Sequence, residues 1–528
     1  MKVLVTEPLA EEGIARLRAE PGIDVHVRLK PSPEELLGLI PEYSGLIVRS
    51  STSVDKDLLA AAEALKIVGR AGSGVDNIDL QAATGRGVVV VNTPGGNAVS
   101  VAELVMGLTI ACARKIAAAD RKLKAGTWAK KESKGRELNG KTMGIIGLGR
   151  IGREVARRAR SFGLQVLGYD PFVAEGDFDE QGVRLVGLEE LLAACHFVTM
   201  HVPRTDRTMN MIAADELGMM MDGAVLINAA RGGLVDEAAL LDALNGGKIA
   251  AAGLDVFSSE PEPLADLVRH ENVVATPHIG ASTAEAQEQV GYYVAGYVAD
   301  YLIRGVVQSS VNYPAISAEE MRSLGPHLPV AERLGAFSAQ VASGRMREMT
   351  ATYFGELVSE RYALLTDRAL CGALRPFLDD TAVNTINARS LAEQRGLKII
   401  EATSSRERGF AGMIRVELLT DEESIVVEGA AVGEGRPPRL VAVDTMKIDA
   451  PLEGPTLFFK NDDVPGVIGK IGTYAGENGI NIANFALRSD QRGGAIGVVQ
   501  IDKRISNRQR KEIKSLPGVR FVRMVDLP

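Results

Sequence analysis

Cysteine is nearly absent from this chain. The 528 residues hold three, Cys112, Cys195 and Cys371. They are odd in number and far apart, so neither a disulfide framework nor a cysteine metal pair is expected, and no metal site is assigned. Such usage suits a reducing cytoplasm. Long apolar runs are missing as well, so no stretch reaches the roughly 20 residues that span a bilayer. The N-terminus, MKVLVTEPLAEEG, enters a strand-like run at once and lacks the layout of a secretory signal. Excess positive charge is also lacking. The formal net charge of −8 argues against nucleic acid as the main partner. What remains is ordinary for folded domains, 46% hydrophobic and 24% charged. The length fits about three to four domains.

One stretch organises the rest. Met143 to Asp170 reads as an apolar run, then Gly147-Leu148-Gly149-Arg150-Ile151-Gly152, a helix-period segment, and a second apolar run ending on Asp170. Strand, glycine turn, helix, strand and acid are the context that a dinucleotide fingerprint requires. Gly147 allows the tight turn, Gly149 lets backbone approach a pyrophosphate, and Gly152 lets the helix pack on the strand. Asp170 lies 18 residues past Gly152, close to the spacing of a carboxylate that accepts ribose hydroxyls. A 2′-phosphate would meet a like charge there, so the cofactor expected is NAD rather than NADP.

Before this stretch, short apolar runs alternate with amphipathic segments. Strands are expected at Val3–Val5, Val25–Val27, Leu46–Val48, Ile67–Val68 and Val88–Val91, with helices such as Glu11–Ala19 and Pro33–Ile40 between them. That alternation predicts a parallel sheet covered by helices. One long helix is expected from Ala98 to Lys124, then a loop around Trp128. After the fingerprint, further strands are expected at Phe197–His201, Ala224–Asn228, Ala251–Asp255 and Val273–Thr276. A helix, Ala284–Ile303, can carry the chain back to the first domain. Residues 317–452 read as a separate α+β domain, with a helix at Arg361–Phe377 among others. Residues 455–528 follow a βαββαβ order, which is ferredoxin-like.

Three polar residues stand near strand ends in the second unit: Arg231 in NAARGGLVDE, Glu260 in GLDVFSSEP and His278 in ATPHIGAST. In an open parallel sheet, ligands bind outside the strand carboxyl ends. Oxidising a secondary alcohol needs a base for the hydroxyl proton, and imidazole titrates near neutrality. Glu260 can orient His278, and Arg231 can fork onto a carboxylate. Plainer readings stay open: an exposed ion pair for Arg231, loop punctuation for Glu260 beside Pro261, a core histidine for His278. His201 is a second base candidate or a cofactor contact. His26, His196, His270 and His327 have no motif context. In the first unit, Arg49-Ser50-Ser51 and the segment Arg70 to Asn77 follow strands. An arginine, hydroxyls and glycine N–H groups there can take a phosphate or carboxylate.

GLGRIG, HVP, INAARGGLVDE, GLDVFSSEP and TPHIGAST together resemble the D-isomer-specific 2-hydroxyacid dehydrogenases. The tandem of that core, an α+β domain and a terminal ACT-like domain is similar to the long form of the family's phosphoglycerate-oxidising branch. The resemblance implies an α/β fold, a flavodoxin-like substrate domain with a Rossmann NAD-binding domain, then an intervening α+β domain and an ACT regulatory domain. It divides the chain into 1–97 with 284–312, 98–283, 317–452 and 455–528. It implies catalytic roles for Arg231, Glu260 and His278. Cofactor contacts are implied for Gly147, Gly149, Arg150, Ile151, Asp170, Ala229, Ala230, Arg231, Asp255, His278, Gly280 and Ala281, with Ser73 and Pro203. Arg49, Ser50 and Asn77 would face substrate. The implied reaction is NAD-dependent oxidation of 3-phosphoglycerate to 3-phosphohydroxypyruvate, which opens L-serine synthesis.

ACT domains bind amino acids at domain pairs. Asp463, in NDDVPGV, and Asn481 match positions suited to the amino and carboxylate groups of an effector, expected to be L-serine. The resemblance further implies a homotetramer, with no nucleic-acid or membrane partner. In the intervening domain only Lys447 and nearby basic residues are candidates. Two rivals remain: a glyoxylate/hydroxypyruvate or D-lactate dehydrogenase, which normally lacks the 317–528 extension, and an NAD-sensing binding protein on the same core.

Overall fold

Apolar runs bounded by amphipathic helices build four sheets in this computed structural model, which describes residues 1–174, 182–359, 362–378, 383–405, 409–433, 435–489 and 493–528. The first sheet is wholly parallel. Its order across the sheet is Asp24–Val27, Lys2–Val5, Gly45–Val48, Ile67–Arg70, Val89–Asn92. This second-first-third-fourth-fifth arrangement is flavodoxin-like. Gly45–Val48 and Val89–Asn92 are buried at every position, the pattern of parallel strands covered on both faces. One cover is the helix Ala284–Arg304, whose Val294 and Val298 side chains close over Gly69. The chain thus returns to its first sheet late, as the sequence suggests.

The second sheet has seven parallel strands. From one edge they are Val273–Ala275, Ile249–Leu254, Ala224–Asn228, Phe197–Met200, Thr142–Ile146, Gln165–Tyr169 and Val183–Leu185. Strand order reverses between Thr142–Ile146 and Phe197–Met200, and doubly wound sheets bind ligands at that switch point. Val183–Leu185 is absent from the sequence expectation, because three residues are too few to show a period.

The expected helix Ala98–Lys124 is two helices, Ala98–Ala113 and Ile116–Lys124. Lys115 between them adopts φ +54°. The returning segment takes over the helix end there, since Arg136 N donates to the Ala113 carbonyl at 2.9 Å. No glycine marks this break, so the helical period runs across it unbroken.

The third sheet is mixed, in the order Lys398–Ser404, Met346–Gly355, Gly412–Thr420, Ser424–Ala431, Pro438–Val443, Met446–Pro451. Only its first pair is parallel. The helices Leu328–Val341 and Ala363–Leu374 pack against one another beside it. Arg361, the expected start of the second helix, lies outside the described residues. The terminal sheet is antiparallel, in the order Ile482–Ser489, Gly494–Ile501, Gly454–Asp462, Val519–Leu527. With helices Val467–Glu477 and Asn507–Lys514 it gives the βαββαβ arrangement.

Alternation along Gly454–Asp462 splits its side chains between two cores. Leu457 and Phe459 join Val467, Ile471 and Ile513 under the helices. Phe458 points the other way and meets Phe337 edge-on, with ring centroids 5.6 Å apart. Gln340 completes this junction by bonding both the N–H and the carbonyl of Asp526, each at 2.9 Å. A single buried cluster holds Val5, Val298, Leu370, Phe337 and Phe458, so one core runs from the first sheet to the last. Each fully buried branched or aromatic side chain contributes about 1.5–3 kcal/mol. Among the described residues no helix is long and apolar enough to cross a membrane.

Candidate active site

Thr142–Ile146 buries Met143, Ile145 and Ile146, then turns at Gly147. Gly147 sits at φ +92°, and a Cβ there would lie 2.7 Å from the His201 carbonyl. Only glycine makes that turn without strain. A side chain at Gly152 would overlap the Gly147 carbonyl, so the helix Arg150–Ser161 packs directly on the turn. Gly149 faces open space, with nothing within 4 Å of an added Cβ. The free N–H groups of the helix start lie there, where an anion binds. Asp170 is half-buried at the end of Gln165–Tyr169. Its Oδ2 accepts from Leu148 N at 2.9 Å and its Oδ1 from Phe172 N at 3.0 Å. The carboxylate is thereby anchored beside the glycine turn. These residues fit a dinucleotide: an open cradle for the pyrophosphate and a fixed anion for the ribose, which disfavours a 2′-phosphate. Arg150 reaches out of this turn and donates to the Pro94 carbonyl.

A cleft of about 1780 Å³ lies between the first two sheets and collects residues from both. His278, Glu260, Arg231, Arg49, Ser50 and Arg70 all line it, as do Ile151, Pro203, Ala229, Ala230, Gly280 and Ala281. His278 Nδ1 lies 2.8 Å from Glu260 Oε2, and Glu260 Oε1 accepts from Phe257 N at 3.0 Å. A carboxylate only accepts, so Nδ1 carries the proton and Nε2 is left as the basic atom of the neutral ring. His278 is held at φ +54°, which costs on the order of 1 kcal/mol for a residue with a Cβ. Asp255 imposes it. This carboxylate is 1% exposed and accepts from Thr276 Oγ1 at 2.6 Å, Ile279 N at 2.8 Å and Gly280 N at 2.8 Å. The loop is wrapped around Asp255, and Ser100 Oγ ties down the Gly280 carbonyl at 2.7 Å.

Asn228 shapes the turn that presents Arg231. Its Nδ2 donates to the Arg231 carbonyl at 2.9 Å and its Oδ1 accepts from Ala230 N at 3.1 Å. Arg231 Nε donates across the cleft to Asp76 Oδ2 at 2.8 Å, and Nη1 to the Ala230 carbonyl at 2.6 Å. A side chain at Gly74 would strike this guanidinium. His201 lines the cleft as a weak base. Burial pushes its imidazole down to about 3, so the ring is neutral near pH 7. Its Nε2 lies 3.2 Å from Thr199 Oγ1 and its buried Nδ1 finds no partner among the described residues.

The substrate-facing expectations divide. Arg49 and Ser50 line the cleft. Asn77 does too, but its Nδ2 is committed to the carbonyls of Arg49 at 2.9 Å and Thr52 at 2.6 Å, so it braces the loop beside it. Ser73 donates to Asn97 Oδ1 at 2.8 Å. Arg70, expected in a segment that can take a phosphate or carboxylate, lines the cleft. Burial first, then the Arg231 charge, pulls its guanidinium down to about 10, which still leaves it protonated at pH 7. Its buried Nε has no partner among the described residues. Glu7 and Asp76 were missed. The signal for Glu7 was its place two residues past the first strand, at the carboxyl ends of the sheet where the cleft opens.

Asp463 and Asn481 are exposed and stand apart. Asp463 precedes and Asn481 follows the eleven-residue helix Val467–Glu477. That helix is about 16 Å long. No single small ligand touches both within one chain.

Comparison with known proteins agrees with this arrangement. Residues 106–280 match the NAD-binding domain of the D-isomer specific 2-hydroxyacid dehydrogenases, and residues 323–444 match the D-3-phosphoglycerate dehydrogenase intervening domain. The D-3-phosphoglycerate dehydrogenase of Archaeoglobus fulgidus is 40% identical, over 100% of both chains. That of Methanocaldococcus jannaschii is 39% identical, again over 100% of both. Among solved structures, NAD+-bound 3-phosphoglycerate dehydrogenase from Entamoeba histolytica is 31% identical with a TM-score of 0.52. It covers 59% of this chain and 99% of its own.

Proposed function

The chain belongs to the D-3-phosphoglycerate dehydrogenases of the D-isomer specific 2-hydroxyacid dehydrogenase family, and from that premise we infer that Arg231, Glu260 and His278 carry out its reaction. That reaction is the NAD-dependent oxidation of 3-phosphoglycerate to 3-phosphohydroxypyruvate, at the entry to serine synthesis. NAD, held at the glycine turn and Asp170, would supply the acceptor for the hydride that leaves C2 of the substrate. His278 Nε2 takes the proton of the C2 hydroxyl, and the Glu260 carboxylate stabilises the imidazolium that results. Arg231 forks onto the substrate carboxylate and polarises the oxygen that becomes the carbonyl. Arg49 and Arg70 supply positive charge for the phosphate. The observation that carries this reading is the His278–Glu260 pair, 2.8 Å apart in the same cleft as Arg231. Initial rates followed by NADH absorbance test it, with 3-phosphohydroxypyruvate expected to outcompete glyoxylate and pyruvate in kcat/KM. A preference for pyruvate would overturn it.

The terminal domain is proposed to be an ACT domain that senses L-serine. Because Asp463 and Asn481 flank opposite ends of one helix, the effector would bridge two copies, taking Asp463 from one and Asn481 from the other. Asn481→Ala is expected to raise the serine concentration for half-inhibition by about tenfold or more, the worth of one lost charge-assisted hydrogen bond, with uninhibited activity unchanged. Intact inhibition would move the effector elsewhere. Pairing of terminal domains and of nucleotide domains together gives the proposed homotetramer. Trp128 is 81% exposed, and Ile116 and Leu123 in the preceding helix are exposed too, which supports an oligomeric contact near the nucleotide domain. Three buried thiols fit a cytoplasmic enzyme.

A further inference from the structure

Glu7 is a buried carboxylate that makes no ion pair within 4 Å among the described residues. It is 5% exposed and stands two residues past the end of the first strand. A charge so placed is costly unless several donors satisfy it. Here the donors are backbone. Glu7 Oε1 accepts from Arg49 N at 2.8 Å and Thr52 N at 2.9 Å. Ser51 N points between the two oxygens, 3.2 Å from Oε1 and 3.1 Å from Oε2. Burial pushes this carboxyl up, but the amides of Thr52, Arg49 and Ser51 outweigh it and hold it below the usual carboxylate range.

Amide groups that converge in this way form a concavity that binds anions. In this loop Glu7 fills the concavity from within. The N–H groups of Arg49, Ser51 and Thr52 are therefore withdrawn from any ligand. What the loop can still offer the cleft is the Arg49 and Ser50 side chains. Neighbouring contacts fix the same loop. Thr6 Oγ1 meets Thr52 Oγ1 at 2.9 Å, and Asn77 holds the Arg49 and Thr52 carbonyls from the other side. The ends of three strands, Lys2–Val5, Gly45–Val48 and Ile67–Arg70, are thus knitted into one rim.

We propose that Glu7 is a positioning residue for the substrate anion: it moulds the Arg49–Thr52 loop so that Arg49 and Ser50 meet the substrate. Glu7 touches no reacting atom. It acts by occupying the loop's own anion cradle, which leaves the substrate phosphate to the side chains. The inference rests on the phosphoglycerate reading above.

The test is steady-state kinetics of the full-length enzyme with 3-phosphohydroxypyruvate and NADH. Glutamine keeps the shape of Glu7 but has one accepting oxygen and a nitrogen that repels the amides. Glu7→Gln is expected to raise KM for 3-phosphohydroxypyruvate about tenfold, with kcat and the NADH Kd within about twofold. In an Arg49→Ala background the same change is expected to add less than about twofold, because both act through one loop. An unchanged KM, or effects that simply multiply, would overturn the proposal. If Glu7→Gln does not fold, Glu7→Asp carries the comparison, keeping the charge but drawing it back by one methylene, and a smaller KM rise is expected. Wild-type protein inactive on 3-phosphohydroxypyruvate would strike the functional reading. Active wild type with an unaltered Glu7→Gln KM strikes only the role of Glu7.

Discussion

His278→Ala is expected to lower kcat by about a hundred- to ten-thousand-fold, the range for losing a positioned general base, while the NADH Kd stays within about twofold. The reason lies in how narrowly the ring is used. Glu260 claims Nδ1, leaving Nε2 as the single basic atom. Asp255 and Ser100 clamp the flanking loop, which holds His278 in the left-handed region. His201, which also lines the cleft, is a poor substitute, because burial takes its pKa down to about 3 and leaves a weak base. The pair itself adds little to stability, since His278 and Glu260 side chains are 47% and 36% exposed. Turnover should therefore collapse in a variant that melts close to wild type. Steady-state rates beside a fluorescence titration of NADH separate the two. A kcat within about tenfold of wild type would remove His278 as the base.

Arg231→Lys is expected to cut kcat/KM by about a hundredfold or more. The charge survives, but the fork does not. Each hydrogen bond to a charged group contributes about 1.5–3 kcal/mol, and lysine cannot make two parallel ones to a carboxylate. Its loss also breaks the 2.8 Å pair with Asp76, which joins the two sides of the cleft. Much of the effect should therefore appear in KM. Rates measured across substrate concentration check this, and a loss below about fivefold would show that Arg231 does not grip the substrate.

The fingerprint was legible because each residue type there has one physical job. Gly147, Gly152 and Asp170 could be read from spacing alone, and the order reversal of the sheet sits at that turn. His278, Glu260 and Arg231 were legible as residues at strand ends, although their convergence needed the fold. The supporting residues were not. Glu7 and Asp255 bond chiefly to backbone amides and a hydroxyl, and a backbone amide leaves no mark in a sequence. Asn77 was expected to face substrate through the resemblance alone, and the bracing bonds of its Nδ2 to two carbonyls have no sequence pattern that announces them. The break at Lys115 lacked a glycine, so periodicity carried straight through it. The end of the chain was readable as a βαββαβ unit, but the use of its second face was not, because Phe458 alternates as any strand residue does.

That second face has a consequence for how such an enzyme can change. Phe458 against Phe337, and Gln340 against the backbone of Asp526, make the terminal unit part of the catalytic subunit's own core. A chain shortened at residue 453 would bare Phe337 and leave the half-buried Gln340 amide without the Asp526 backbone, inviting aggregation. Removal of the terminal unit is therefore expected to destabilise the rest of the chain. Relief of the proposed serine control would have to come from individual exposed side chains around helix Val467–Glu477, with the fold that carries them kept.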